Sequence, residues 1–209
     1  MRLGAYYRSL ILKQMSINIH GINVLDVGCH DGYLLSCCKA KNKIGIDPHP
    51  IKKFKNINYI KGDICQFNFK NRKFDKIFAL DVIEHVDDDK AFVMTLTKLL
   101  GKNGLLVLSV PHKNIKIFPP FLTNFVNQKM WQHEKIGYLK EELIALFPKN
   151  IKIKVIEQRE FFFRLSYFPI RLTWLISERL GKFILKIIIK LDGLIFEGAE
   201  GHIFLITSK

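Results

Sequence analysis

Apolar residues along this chain fall first into a helical rhythm and then into short continuous runs. Over residues 1–20, Tyr6, Tyr7, Leu10, Ile11 and Met15 recur at helical spacing, which predicts an N-terminal helix with one face laid against a core. Ile22 to Val27 is a short β-type run ending at Gly28, and a helix is expected from Gly32 through Ala40. Lys43 to Asp47 is a second strand, stopped by Pro48 and Pro50. Ile57 to Ile60 and Phe74 to Leu80 read as further strands, and Asp88 to Leu100 as a helix carrying Phe92, Met94, Leu96 and Leu99. Gly101-Lys102-Asn103-Gly104 reads as a turn before an almost wholly apolar strand, Leu105 to Val110. Apolar strands separated by helices predict a mostly parallel sheet covered on both faces. That is the doubly wound, Rossmann-like α/β fold, whose ligands sit outside the carboxyl ends of the strands.

Beyond Pro111 the rhythm changes. Residues 112–135 read as loop, Leu139 to Phe147 as a short helix and Ile151 to Glu157 as a strand. His202 to Thr207 reads as a closing strand, antiparallel to its neighbours. Between them, about residues 161–196, lies an apolar and basic helical insertion. Residues 171–196 wind as one or two helices, with Glu178, Lys182, Lys186 and Lys190 on one stripe and Trp174, Leu180, Phe183, Ile184 and Ile187 covering much of the rest. A wide apolar face with a lysine edge suits an interfacial helix on an anionic membrane. It also suits a cover over a substrate cleft or a dimer interface.

Apolar residues make up 48% of the 209, which excludes disorder driven by low hydrophobicity. A net charge of +14 invites nucleic acid, an anionic membrane or an acidic small substrate as partner. The lysines are scattered singly along the chain, so charge alone does not choose among these or exclude plain solubility. Cys29, Cys37, Cys38 and Cys65 form no C-x-x-C pair, which argues against zinc and for a reducing, cytoplasmic setting. The chain opens without the charged and apolar segments of a secretory signal, and no run of 18 uncharged apolar residues predicts a spanning helix. The expected location is therefore cytoplasmic, with peripheral contact to the inner membrane surface left open.

The segment Asp26-Val27-Gly28-Cys29-His30-Asp31-Gly32 lies where a strand hands over to a helix. Gly28 lets backbone approach a ligand closely, and Gly32 lets the helix start near it. About twenty residues on, Asp47 ends the second strand, where a carboxylate accepts hydrogen bonds from the ribose hydroxyls of an adenosine.

Taken together, four segments resemble the class I S-adenosylmethionine-dependent methyltransferases. Val24 to Gly32 resembles the first motif and Ile44-Gly45-Ile46-Asp47 the second; Lys61-Gly62-Asp63-Ile64 resembles the third and Phe74 to Val86 the fourth. The resemblance covers roughly residues 20–112 and implies S-adenosylmethionine as the cofactor. It places Asp26 and Gly28 at the methionine portion, with Cys29 and Gly32 in the same cofactor-binding loop, Asp47 at the ribose with Pro48 or His49 beside the adenine, Asp63 and Ile64 at the adenine ring, and Leu80 with Asp81 below the sulfonium. His30 departs from the pattern, standing where many members have a third glycine. The chain then divides into an N-terminal helix (1–20), a cofactor-binding half (21–112) and an acceptor-side half (113–209) of a single domain.

Glu84 and His85 lie just past the fourth strand, and His85 is the expected general base, with Glu84 beside it. Asp81, Glu84 and His85 also resemble an acid-x-x-Glu-His element that binds a divalent metal in two methyltransferase groups, with His133 available as a fourth ligand. Many relatives with this segment hold no metal, and none is expected here. The expected activity is methyl transfer to oxygen or nitrogen of a small or lipid-like acceptor. RNA methylation, or a catalytically inactive cofactor-binding partner subunit, are the alternatives, and the oligomeric state stays open.

Overall fold

The computed structural model describes residues 2–125, 135–194 and 200–208. Seven strands, β1 (Gly21–Val27), β2 (Ala40–Asp47), β3 (Asn58–Lys61), β4 (Phe74–Leu80), β5 (Leu100–Pro111), β6 (Lys152–Arg159) and β7 (Glu200–Ser208), form one sheet in the order β3-β2-β1-β4-β5-β7-β6. The first five are parallel, whereas β7 runs antiparallel to both β5 and β6. The order reverses between β1 and β4, so the chain leaves these neighbours in opposite directions and opens a crevice at their carboxyl ends.

Alternation along each strand sends successive side chains into two cores. Val24, Phe78, Leu80, Val107 and Phe204 face one side. They pack there under α1 (Leu3–Gln14), α2 (Tyr33–Cys37), α6 (Phe161–Leu165), α7 (Tyr167–Ile176) and α8 (Glu178–Asp192). Leu25, Ile77, Leu106 and Leu205 face the other, under α3 (Asp89–Leu99) and α5 (Lys140–Ala145). A short α4 (Thr123–Phe125) follows a single turn at Pro120–Leu122.

Two boundaries differ from the reading of the sequence. The first helix after β1 covers only Tyr33–Cys37, because Gly21 pairs with Ala40 and the parallel ladder claims residue 40 for β2. Residues 101–104 are a bulge inside β5, not a turn before it: Phe74 pairs with Leu100, and the register resumes at Lys76 and Leu105. Asn103, at φ 59°, takes the left-handed conformation that this detour requires.

The insertion between β6 and β7 forms three helices. The break between α7 and α8 falls at Ser177, whose hydroxyl accepts the Leu180 N–H and caps α8. Gly181 lets α8 lie close against α7, since a Cβ there would come within 2.8 Å of the Trp174 ring.

Candidate active site

Past β1 the backbone turns through three left-handed residues, Gly28 (φ 72°), His30 (φ 44°) and Gly32 (φ 73°). A Cβ on Gly28 would come within 2.5 Å of Val82, and one on Gly32 would run into the Tyr59 hydroxyl. His30 takes its strained conformation with both backbone groups held: its N–H donates to Asp47 Oδ2 at 2.9 Å, and its carbonyl accepts the Ile51 N–H at 2.8 Å. Cys29 is buried with its sulfur against Gly45 of β2, so residue 29 brings backbone rather than thiol to the loop.

Asp47 ends β2 and accepts backbone N–H groups from His30 and, at 2.8 Å, from His49. Each of its oxygens keeps a second lone-pair site for a ribose hydroxyl. Its carbonyl accepts the Gly62 N–H at 3.0 Å, which ties the end of β2 to the turn carrying Asp63 and the buried Ile64. Asp63 orders that turn by accepting the Cys65 N–H at 2.8 Å. Pro48 is exposed beside Asp47.

Asp26, 5% exposed, lies in β1 beneath the loop. Burial pushes its carboxyl up to about 8, against the pull of Arg8 and with Asp47 and Asp31 adding to the rise. The glycine cradle, the ionisable Asp26 and the unfilled lone pairs of Asp47 together fit an adenosine bearing a cationic amino acid.

On the other side of the crevice, Asp81 follows β4 at φ 54°. Its Oδ2 lies 2.6 Å from the Arg8 guanidinium and 3.4 Å from His202 Nε2, and its Oδ1 accepts the Ser109 hydroxyl at 2.6 Å. Against its burial, His202 and Arg8 hold this carboxyl well below the usual range. His202 Nδ1 lies 2.6 Å from Glu160 Oε1, which also accepts the Tyr7 hydroxyl at 2.5 Å. Burial opposes charge on His202, but Glu160 and Asp81 outweigh it and hold its pKa well above the ordinary value.

Glu84 and His85 share one short turn, Ile83–His85, yet point apart: Glu84 is fully buried and His85 is exposed. Burial, reinforced by Asp81, pushes the Glu84 carboxyl well above its usual range. Among the described residues no cluster of three or more His, Cys, Asp and Glu side chains is arranged to hold a metal ion, and His133 lies outside them. A recess of about 650 Å³ lies at the opposite, amino ends of the strands, lined by Lys41, Lys43, Arg72 and Lys73 among others. It contains none of the crevice residues.

The sequence reading missed Arg8, Tyr7, Ser109, Glu160 and His202. The signal for His202 was present: an antiparallel last strand begins at the carboxyl edge of the parallel ones, so its first residues face the crevice. Arg8 carried no such signal, because helical periodicity ranks only apolar positions, and it ranked Tyr7 as a packing residue with nothing to point its hydroxyl at Glu160.

The chain matches a family model described as a methyltransferase domain over residues 2–160. It belongs to that family. Its donor is therefore S-adenosylmethionine, the ligand that the crevice fits. The chain is similar to a ubiquinone biosynthesis O-methyltransferase of Bradyrhizobium diazoefficiens, 30% identical over 203 residues, covering 85% of this chain and 77% of that protein. A mitochondrial ubiquinone biosynthesis O-methyltransferase of Dictyostelium discoideum is 30% identical over 135 residues, 54% of this chain and 42% of that protein. This chain thus spans less than half the length of the second relative. A tRNA U34 carboxymethyltransferase of Sulfurimonas denitrificans is 34% identical over 110 residues, 46% of this chain and 37% of that protein. Among solved structures, a SAM-dependent methyltransferase from Archaeoglobus fulgidus superposes with a TM-score of 0.61 at 19% identity, over 98% of this chain and 94% of that one. That likeness speaks for the fold.

Proposed function

We propose that this enzyme methylates an oxygen of a small, lipid-like acceptor taken from an anionic membrane surface. The observation that carries the acceptor class is the outer face of α7 and α8. Leu172, Leu175, Ile176, Leu180 and Phe183 are 61%, 79%, 79%, 49% and 63% exposed there. Arg171, Arg179, Lys186 and Lys190 stand exposed beside them. A face this apolar, edged by cations, suits the interface of an anionic leaflet, where each nearby Lys or Arg contributes about 1 kcal/mol. No helix among the described residues is long and apolar enough to cross a membrane, so the contact proposed is peripheral. The ubiquinone-pathway O-methyltransferases among the relatives support an oxygen acceptor.

In this reading residues 21–112 form the donor half and 113–209 the acceptor half. Gly28, Gly32 and the backbone at Cys29 cradle the methionine portion, and Asp26 faces its ammonium. Asp47 and Pro48 hold the ribose and one side of the adenine, and Asp63 with Ile64 holds the adenine edge. Leu80 and Asp81 floor the reacting centre. The donor supplies an electrophilic methyl on a sulfonium; the protein supplies alignment, worth several kcal/mol, and a proton acceptor. His85 stands at the exposed rim as one candidate for that role, and the buried Glu84 orders its turn.

The test is to incubate the protein with methyl-labelled donor and a cell extract, then separate lipid, RNA and small-molecule fractions. Label in lipid is expected. Label in RNA would overturn the acceptor class and favour the kinship with the tRNA enzyme. No label, with donor binding intact by calorimetry, would favour a non-catalytic partner subunit. Flotation on vesicles with and without phosphatidylglycerol tests the membrane contact, and no flotation on the anionic vesicles would remove it.

A further inference from the structure

Four charged side chains from four separate elements converge at the carboxyl edge of the acceptor half: Arg8 of α1, Asp81 after β4, Glu160 after β6 and His202 in β7. Arg8 is cationic, Asp81 and Glu160 are anionic, and His202 lies between the two carboxylates; with the imidazole protonated the cluster balances, and with it neutral the cluster carries one negative charge. An ion cluster this buried adds little stability over apolar packing of the same volume, so stability alone does not account for it. Glu160 is fully buried and its Oε2 has no hydrogen-bond partner among the described residues. Its place is built in: a Cβ on Gly201 would lie within 2.5 Å of the Glu160 carboxyl carbon, so the residue before His202 has to lack one.

The imidazole is held unevenly. Nδ1 makes a short contact of 2.6 Å with Glu160, whereas Nε2 stands 3.4 Å from Asp81. Nδ1–H donating to Glu160 fixes the tautomer, so in the neutral ring Nε2 carries the lone pair, beside the residue that floors the reacting centre. The other groups around it are Tyr7 and Arg8 on α1, Glu84 and Asp81 after β4, and Asp192 at the end of α8.

We propose that Glu160 and His202 form a carboxylate–imidazole dyad in which His202 Nε2 takes the proton of the acceptor hydroxyl during methyl transfer. The inference rests on the methyl-transfer reading above and assigns its base. The acceptor O–H bond breaks as its oxygen bonds the methyl carbon; the S–CH3 electron pair stays on sulfur, and the proton goes to Nε2. One positive charge disappears from sulfur and one appears on the imidazole, so donor and cluster together keep their total charge while the cluster itself goes from one negative charge to balance. His202 rests protonated between its two carboxylates; a sulfonium above Asp81 weakens the hold of that carboxylate on the Nε2 proton, so donor binding drives that proton off to solvent and readies the base. Glu160 is a positioning residue and His202 a catalytic one.

The first measurement needs no acceptor. In 15N-histidine NMR of the full chain, the His202 signal is identified by its loss in His202→Gln. Its titration midpoint is expected to be about one unit lower with S-adenosylmethionine than with the neutral S-adenosylhomocysteine, a tenfold change in proton affinity. Equal midpoints would overturn the dyad. The second measurement uses a catechol with a short prenyl tail as probe. His202→Gln is expected to lower kcat about 10²-fold or more, with donor Kd by calorimetry unchanged. Glu160→Gln is expected to shift the pH–rate profile. A His202→Gln enzyme at wild-type kcat, with the rate lost instead in His85→Gln, would overturn the assignment. If His202→Gln no longer binds donor, the Glu160→Gln profile decides, and an unshifted one rejects the dyad. A wild-type enzyme that leaves the catechol unmethylated counts against the acceptor class alone, and the NMR result then decides the dyad.

Discussion

The carboxylate of Asp47 and the backbone N–H of His30 meet at 2.9 Å across 17 residues of chain. This contact lets a histidine occupy a left-handed position at φ 44°: what the side chain loses in conformational preference, the held backbone returns. Asp47 thus orders the loop, and in the proposed function it holds the ribose as well.

Asp47→Ala is therefore expected to weaken S-adenosylmethionine binding at least 100-fold, since hydrogen bonds to a charged group contribute about 1.5–3 kcal/mol each. His85→Ala is expected to bind the donor normally. Isothermal calorimetry checks both, and tight binding by the Asp47 variant would move the ribose elsewhere. His30→Gly, by contrast, is expected to change thermal stability by less than about 1 kcal/mol.

Gly32→Ala is expected to cost about 1–2 kcal/mol from its backbone conformation alone, and more because its Cβ meets the Tyr59 hydroxyl. That hydroxyl donates to the Asp31 carbonyl at 3.0 Å, so the clash spreads into the loop. Tyr59→Phe in the Gly32→Ala background is expected to recover part of the loss. A double-mutant cycle by denaturant unfolding measures the coupling, and strict additivity would mean that the two residues do not conflict.

Donor binding is expected to release a proton near pH 6.5. Asp26 is raised to about 8 in the donor-free protein, so it is mostly neutral there, and the donor's ammonium favours its ionised form. Affinity should then rise with pH below 8, by up to about tenfold per unit. Calorimetry in buffers of different ionisation enthalpy counts the released proton, and Asp26→Asn should release none. The same shift has a stability sign: the donor-free fold loses stability as pH rises from 3.8 to about 8. Asp26→Asn should thus be the more stable protein at pH 9.

Asp192, at the end of α8, accepts the Phe162 and Phe163 N–H groups at 2.6 and 3.1 Å. It caps α6 from 29 and 30 residues away because Glu160, the residue at the usual capping position, is drawn into the His202 cluster. Asp192→Ala is expected to cost about 1–3 kcal/mol, leaving two N–H groups unmet, as read by thermal or denaturant unfolding. A variant as stable as wild type would show that α6 finds another cap.

The turn after β1 and the end of β2 were legible because their signals are local. Gly28, Gly32 and Asp47 stand at fixed offsets from strands whose apolar runs are plain, and Phe74 to Leu80 is the fourth strand with the boundaries expected of it. The cluster of Arg8, Asp81, Glu160 and His202 was not, because its side chains meet only through the sheet. Arg8 reaches Asp81 across 73 residues and Tyr7 reaches Glu160 across 153, and no spacing rule spans such distances. Glu84 and His85 show the converse: adjacent in sequence, they part because a single tight turn sends one inward and one outward. The bulge at residues 101–104 was hidden because its two glycines and an asparagine also compose an ordinary turn.

The antiparallel last strand has one more consequence. Residues 105–111 of β5 pair with residues 202–208, and β6 joins the sheet only through β7. As the chain is made, β5 therefore waits with one edge bare until residues 202–208 have left the ribosome. That edge belongs to the run Leu105-Leu106-Val107-Leu108-Ser109-Val110, a sequence apt to pair with any other free strand it meets. The strand that carries His202 is thus also the one that closes the nascent sheet against aggregation.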